Sequence, residues 1–209
     1  MGVLHPNFIA GIGGSAGGLN AYTALFDALS PKTGMAFVVI SHMNPSAHSY
    51  LAQILSRHTK MPVRVASNAM HIHSNHVYVI PPNSDVFIEN YAFKIISPRA
   101  IRGKQVDCFL TSLAEAMGAR AIGIVLSGYD GDGSEGCKAI KAKGGITFAQ
   151  DESAEINEMP QSARASGCID FVLSPEKIPA VLKRLVSTKI RIDTQPITPF
   201  KVSKIIKNI

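Results

Sequence analysis

The sequence predicts an α/β protein: a doubly wound, mostly parallel sheet with helices on both faces and a small antiparallel hairpin. Three observations carry this. Apolar runs of strand length alternate with stretches of helical periodicity along most of the chain, the order that builds right-handed βαβ units. Three runs, Phe8 to Ile12, Met35 to Ile40 and Ala121 to Ser127, are almost continuously apolar, as strands covered on both faces are. Each of the three leads into a glycine-rich or polar segment, and ligands of open α/β sheets bind outside the carboxyl ends of the strands.

The first run opens into Gly13-Gly14-Ser15-Ala16-Gly17-Gly18. Leu19 to Leu29 then reads as an amphipathic helix, with Leu19, Tyr22, Leu25, Phe26 and Leu29 at helical spacing. Ser15 therefore sits on a strand–turn–helix corner, and G-x-S-x-G is the pattern of a nucleophile presented on a sharp turn. Glycine tolerates the positive φ and close backbone approach of such a corner. The following helix aims free N–H groups and its positive dipole end back at it. The same residues support two other readings. Gly11-x-Gly13-x-x-Ala16 fits the dinucleotide fingerprint, although the second strand closes on Ser41-His42 instead of the required Asp or Glu. A plain glycine turn is the third reading.

Pro31 to Gly34 is a turn, and the strand Met35 to Ile40 delivers His42 to the rim that carries Ser15. Tyr50 to His58 reads as a helix and Val63 to Ala66 as a short strand. His71, His73 and His76 raise a metal reading, but no Cys or carboxylate stands near them, and structural zinc takes four fixed ligands. A polar loop leading into the strand Val77 to Ile80 is the expectation. Asp85 to Ser97 reads as a hairpin or meander around Glu89-Asn90, and Arg99 to Gln105 as a polar, basic connection. Asp107 to Met117 is a helix; the strand Ala121 to Ser127 then enters Gly128-Tyr129-Asp130-Gly131-Asp132-Gly133, a third strand end on the Ser15 rim. Asp130 and Asp132 also suit turn and N-cap positions. Ser134 to Lys143 is a helix, Ile146 to Ala149 a strand, Met159 to Ser166 a helix, Ile169 to Leu173 a strand and Pro175 to Val186 a helix. Residues 188–198 read as a linker, and Val202, Ile205, Ile206 and Ile209 recur at helical spacing beyond it. The organisation expected is a catalytic domain over 1–187 and a linker with an amphipathic tail over 188–209.

At 209 residues the chain is long enough for one sizeable core. The net charge of +6 is concentrated in the tail: residues 188–209 carry Lys189, Arg191, Lys201, Lys204 and Lys207 against Asp193, leaving 16 basic and 14 acidic side chains elsewhere. This count gives little support for a basic nucleic-acid face on the domain, and no nucleic-acid partner is expected. Cys108, Cys137 and Cys168 are odd in number and far apart, which suits free thiols in a reducing compartment. No run approaches a membrane span and no export signal opens the chain, so a cytoplasmic protein without membrane insertion is expected.

A nucleophilic serine needs a base, and the base an orienting group. The rim offers Ser15, then His42, then an aspartate of the 128–133 loop, an order unlike the Ser…Asp…His of α/β-hydrolases. Gly13-Gly-Ser15-Ala-Gly-Gly18, Ser41-His42-Met43, His76-Val-Tyr-Val-Ile-Pro81, Leu126-Ser-Gly128 with Asp132-Gly133, Ala149-Gln150-Asp151 and Met159-Pro160 resemble, in order and spacing, the chemotaxis protein-glutamate methylesterase domain of the CheB type. The resemblance covers about residues 7–186 and is closest to such domains fused to methyltransferase modules. It implies a triad of Ser15 nucleophile, His42 base and Asp132 orienter. Asp132 is chosen over Asp130 because it stands directly before Gly133, as in the family's loop. It further implies acyl transfer on glutamate methyl esters of cytoplasmic receptor helices, with glutamine deamidation in some members, and no metal or cofactor. Backbone N–H groups at Ala16 and Tyr129, flanked by Gly14 and Gly17, are the expected oxyanion and substrate contacts. The implied partners are methylated chemoreceptor helices and a downstream methyltransferase module.

The sequence departs from the family at three points. Tyr129-Asp130 stands where a small or Met residue and then Gly are usual, adding bulk and a charge beside the triad. The segment Arg102 to Asp107 lacks a proline that the family often carries. No receiver domain precedes residue 7, so control by phosphorylation of a receiver in cis is not expected. The altered loop motivates an alternative, a catalytically weak module of the same fold that binds receptors or signalling partners.

Overall fold

A computed structural model describes residues 5–42 and 50–193. The chain divides into two compact units, Met1–Pro179 and Ala180–Ile209. Its elements are β1 (Phe8–Gly14), α1 (Gly18–Asp27), β2 (Met35–Ser41), α2 (Leu51–Leu55), β3 (Val63–Val65), β4 (His76–Val79), β5 (Asp85–Glu89) and β6 (Ala92–Ile96). They continue as α3 (Gln105–Met117), β7 (Ala121–Val125), α4 (Ser134–Ala142), β8 (Ile146–Gln150), α5 (Glu158–Ala165), β9 (Phe171–Leu173) and α6 (Ile178–Asp193).

Seven strands form one parallel sheet in the order β3-β4-β2-β1-β7-β8-β9, and β5 and β6 form a separate antiparallel pair. From β1 the chain winds outward through β2, then returns past β1 to β7 and winds the other way. Right-handed crossovers in opposite directions put α1 and α4 on opposite faces. The expected doubly wound sheet with its hairpin is therefore the observed one. The winding reverses between β1 and β7, and a crevice forms at such a switch point beyond the strand ends.

Burial explains why these residues make these elements. Every position of β1 and β7 is buried, as are all but the last of β2, which is what helix layers on both faces require. In α1, Ala21, Tyr22, Leu25 and Phe26 face the core. Leu19, expected in the same stripe, is exposed because it lies roughly a quarter turn from the stripe's centre. The β5–β6 turn falls on Asn90 and Tyr91, both at positive φ, the two-residue geometry that matches strand twist. It is centred one residue later than the sequence suggested.

Helix α3 comes unusually close to β1. A Cβ on Gly11 would stand 2.5 Å from Leu110 Cδ2, and one on Gly13 2.3 Å from Val106 Cγ1. The glycines of the first strand are thus seats for a helix. Gly11 and Gly13 lie inside β1 and not in a turn beyond it, and the nucleotide reading of Gly11–Ala16 is set aside.

One boundary needs correction. The last helix runs to Asp193, so residues 188–193 are helical and not linker. No Gly or Pro interrupts the chain from Ala180 until Pro196, so nothing in that stretch breaks the helix. The described part of the second unit is this helix. Met43 of the His42 motif, and the Val202–Ile209 pattern, lie outside the described residues. No helix among the described residues is long and apolar enough to cross a membrane.

Candidate active site

The site begins with strand register. In the β1–β2 pair Gly14 stands opposite Ser41, so the next residue on each chain is Ser15 and His42. The His42 N–H donates to the Gly14 carbonyl at 3.2 Å. On the other side of β1, the Leu126 N–H donates to Gly13 O and the Ser15 N–H to Ser127 O, each at 2.9 Å. Three strand ends therefore converge at the switch point, bringing Ser15, His42 and the 128–133 loop to one rim of the sheet.

Asp132 is buried and fully engaged. Its Oδ2 accepts from His42 Nε2 at 2.6 Å and from the Val106 N–H at 2.9 Å, and its Oδ1 accepts from the Asp107 N–H at 2.8 Å. Val106 and Asp107 belong to the first turn of α3. The free amides and positive end of that helix hold the carboxylate. Opposite a carboxylate, Nε2 carries the proton, which leaves Nδ1 as the basic nitrogen. The Asp132 hydrogen bond, helped by the charges of Asp132 and Asp130, raises the His42 pKa above its ordinary 6.5, outweighing burial and the Arg99 charge, which lower it.

A second carboxylate mirrors the first. Asp107 Oδ1 accepts from the N–H groups of Gly133 and Gly136 at the start of α4, at 2.8 and 2.9 Å. Asp132 thus caps α3 while Asp107 caps α4. Burial pushes the Asp107 carboxyl above its usual range. The sequence placed Asp107 at a helix start without a role; an acidic residue in a first turn was the available signal.

The Ser15 corner is held by residues whose function was not read from sequence. Ser127 Oγ donates to the Ala16 carbonyl and accepts from the Ile156 N–H, both at 2.9 Å, while the Ser127 N–H donates to Gln150 Oε1 at 2.9 Å. Gly128 lies against the serine: a Cβ there would stand 2.9 Å from Ser15 Cβ and 2.2 Å from Met159 Sδ. Its backbone is clamped by Ile156 O and the Met159 N–H at 3.0 and 2.9 Å. Gly14 is similarly confined, since a Cβ would stand 2.6 Å from Tyr22 Oη. Gly17 turns the chain at φ 70, whereas Ser15 is absent from the positive-φ residues. The corner's strain is carried by glycine and not by the nucleophile candidate.

The structure joins His42 to Asp132. Among the described residues no hydrogen bond joins Ser15 Oγ to His42, although the two follow a paired register. The N–H of Ser15 is committed to Ser127. Among the described residues the amides of Ala16 and Tyr129 have no partner, and the Tyr129 side chain is exposed. The charge expected beside the triad is there: Asp130 Oδ2 lies 3.7 Å from His42 Nδ1. His76 starts β4, at the opposite end of the sheet from Ser15, and no group of three His, Cys, Asp or Glu among the described residues could hold a metal.

Comparison with known proteins bears on the family and the fold. The sequence matches the CheB methylesterase family over residues 10–182. A Leptospira interrogans protein, assigned by name to the protein-glutamate methylesterase/protein-glutamine glutaminase class, is 33% identical over 178 residues, spanning 83% of this chain and 92% of that protein. Protein-glutamate methylesterase/protein-glutamine glutaminase 2 of Burkholderia lata is 32% identical over 194 residues, 87% of this chain and 55% of that one. The crystal structure of the Thermotoga maritima CheB methylesterase catalytic domain superposes with a TM-score of 0.77 at 28% identity, covering 85% of this chain and 98% of that one. In fold, in sequence and over most of its length, this chain belongs to the CheB methylesterase family.

Proposed function

We propose that the chain is a serine carboxylic-ester hydrolase that removes methyl groups from glutamate methyl esters on chemoreceptor-type signalling proteins in the cytoplasm. Deamidation of glutamine is a companion reaction of the same site. The observation that carries this is the 2.6 Å contact between His42 and the buried Asp132, at the strand end next to Ser15. A methyltransferase module is a further proposed partner, supported by the resemblance alone.

The proposed steps build on the His42–Asp132 contact. Asp132 holds Nε2–H, so Nδ1 takes the Ser15 hydroxyl proton as Oγ attacks the ester carbonyl. The oxyanion that develops is met by the free amides of Ala16 and Tyr129. The imidazolium then returns its proton to the leaving methoxide, releasing methanol and leaving an acyl-serine. Water, deprotonated by Nδ1, attacks the acyl carbon; Ser15 regains its proton and glutamate departs. With glutamine the leaving group is ammonia. Neither metal nor cofactor enters any step.

The test is methanol release from methylated receptor. Ser15→Ala is expected to lower the rate by on the order of 10³-fold or more, and retained activity would remove Ser15 from the nucleophile role. A serine-directed phosphonate is expected to label Ser15. Receptor binding with no labelling and no methanol would favour the non-catalytic module, for which the missing Ser15–His42 hydrogen bond is the motivating observation.

A further inference from the structure

The ring of His42 faces two carboxylates, and the reading above uses one. Asp130 has φ 70, a left-handed conformation that L residues adopt at a cost, least for Asn and Asp. Its Oδ1 accepts from the Asp132 N–H at 2.8 Å, and its own N–H donates to Glu158 Oε2 at 3.3 Å. The side chain is tethered at one oxygen, which gives the other a fixed aim. That oxygen, Oδ2, lies 3.7 Å from His42 Nδ1, the nitrogen that Asp132 leaves free.

We propose that Asp130 is a positioning residue for the reaction, a second carboxylate that holds the Nδ1 side of His42 and stabilises the imidazolium formed when Ser15 attacks. The inference rests on the esterase reading above. At 3.7 Å there is no hydrogen bond between the carboxylate and a neutral ring. Once Nδ1 is protonated, the same pair becomes an ion pair. Asp130 therefore acts on the state that resembles the transition state and little on the resting one, which is the differential that accelerates a reaction. The cost is a larger fraction of protonated, inactive base at neutral pH.

Among the described residues, the charges acting on the ring come from two segments: Asp130 and Asp132 on the loop after β7, and Arg99 on the connection before α3. Glu158 of α5 engages the Asp130 backbone. Tyr22 and Ser41, on the β1–β2 side, are neutral; burial pushes the Tyr22 hydroxyl upward.

Asp130→Asn tests this directly. It keeps the Oδ1 acceptor and tolerates positive φ, so the turn survives while the charge is removed. The His42 imidazole, assigned among the seven histidines by comparison with His42→Gln, is expected to titrate about half to one pH unit lower by proton NMR. The acidic limb of kcat/KM for methanol release is expected to move with it, and the high-pH plateau to fall roughly two- to fourfold as the base weakens. Asp130→Gly, which suits the backbone, is expected to behave alike and decides the matter if the Asn variant does not fold. Titration of the variants at the wild-type pH, with an unmoved rate profile, would reduce Asp130 to a turn residue. The NMR titration needs no substrate. Absence of methanol release from the wild type would therefore sink the esterase reading, while the titration still decides whether Asp130 pairs with His42.

Discussion

Asp132 receives three donors at once: the His42 imidazole and the amides of Val106 and Asp107. One residue therefore joins the proposed base to a helix start. Asp132→Ala removes the ring's orienting partner and orphans two amides at a buried helix start. The variant is expected to lose about 1–3 kcal/mol in urea unfolding and on the order of 10³- to 10⁴-fold in methanol release. Full stability with lost activity would show that water replaces the carboxylate on the helix. Gly128 is a tighter constraint at the same level. Its missing Cβ leaves room for Ser15 on one side and Met159 on the other, so even Ala there forces Met159 or Ser15 to shift.

The pairing of α3 with β1 decides where Asp132 can sit. Gly11 and Gly13 let α3 lie directly on the strand, which carries its first turn to the switch point and its amides to the carboxylate. Gly13→Ala puts a methyl 2.3 Å from Val106 Cγ1, an overpacking expected to cost about 1–3 kcal/mol in urea unfolding. Because Val106 also donates to Asp132, activity is expected to fall further than the stability loss accounts for. Equal kcat/KM in the folded variant would show that the helix end is anchored independently of β1. The exchange of caps between α3 and α4, through Asp132 and Asp107, links two helices that meet closely at Gly136, where a Cβ would lie 2.5 Å from Leu110 Cβ.

Protonation ties the site to the stability of the folded chain. His42 has a folded pKa above its ordinary 6.5. The folded state therefore holds the proton more tightly than the unfolded chain does. The stability this contributes is fully present below pH 6.5 and is lost as pH rises through the folded value. The urea midpoint of the wild type is expected to decline relative to that of His42→Gln between pH 6 and pH 9. A constant difference over that range would mean that the ring is not held charged in the fold. Activity has the opposite slope, because the base works only when neutral: the acidic limb of the rate profile is expected above pH 6.5. Stability and activity thus trade against each other across the same window.

Local pattern was enough to find the sheet and three strand ends and to nominate Ser15, His42 and an aspartate of the 128–133 loop, because apolar periodicity and glycine clusters report on one segment at a time; the choice of Asp132 came from the family resemblance. The same resemblance marked Asp130 as an unusual charge, though not which atom it faces. The remainder depends on what lies across space from each segment. Gly11 and Gly13 read as a loop signature until α3 is seen resting on them. Ser127 and Gln150 read as strand ends until their side chains are found bracing the Ser15 corner. Helix α6 outran its expected end because a weak apolar pattern does not by itself stop a helix, and the first proline of the stretch, Pro196, lies beyond Asp193. Register, helix approach and the meeting of distant carboxylates are properties of the packed chain, since each is set by contacts between residues far apart in sequence.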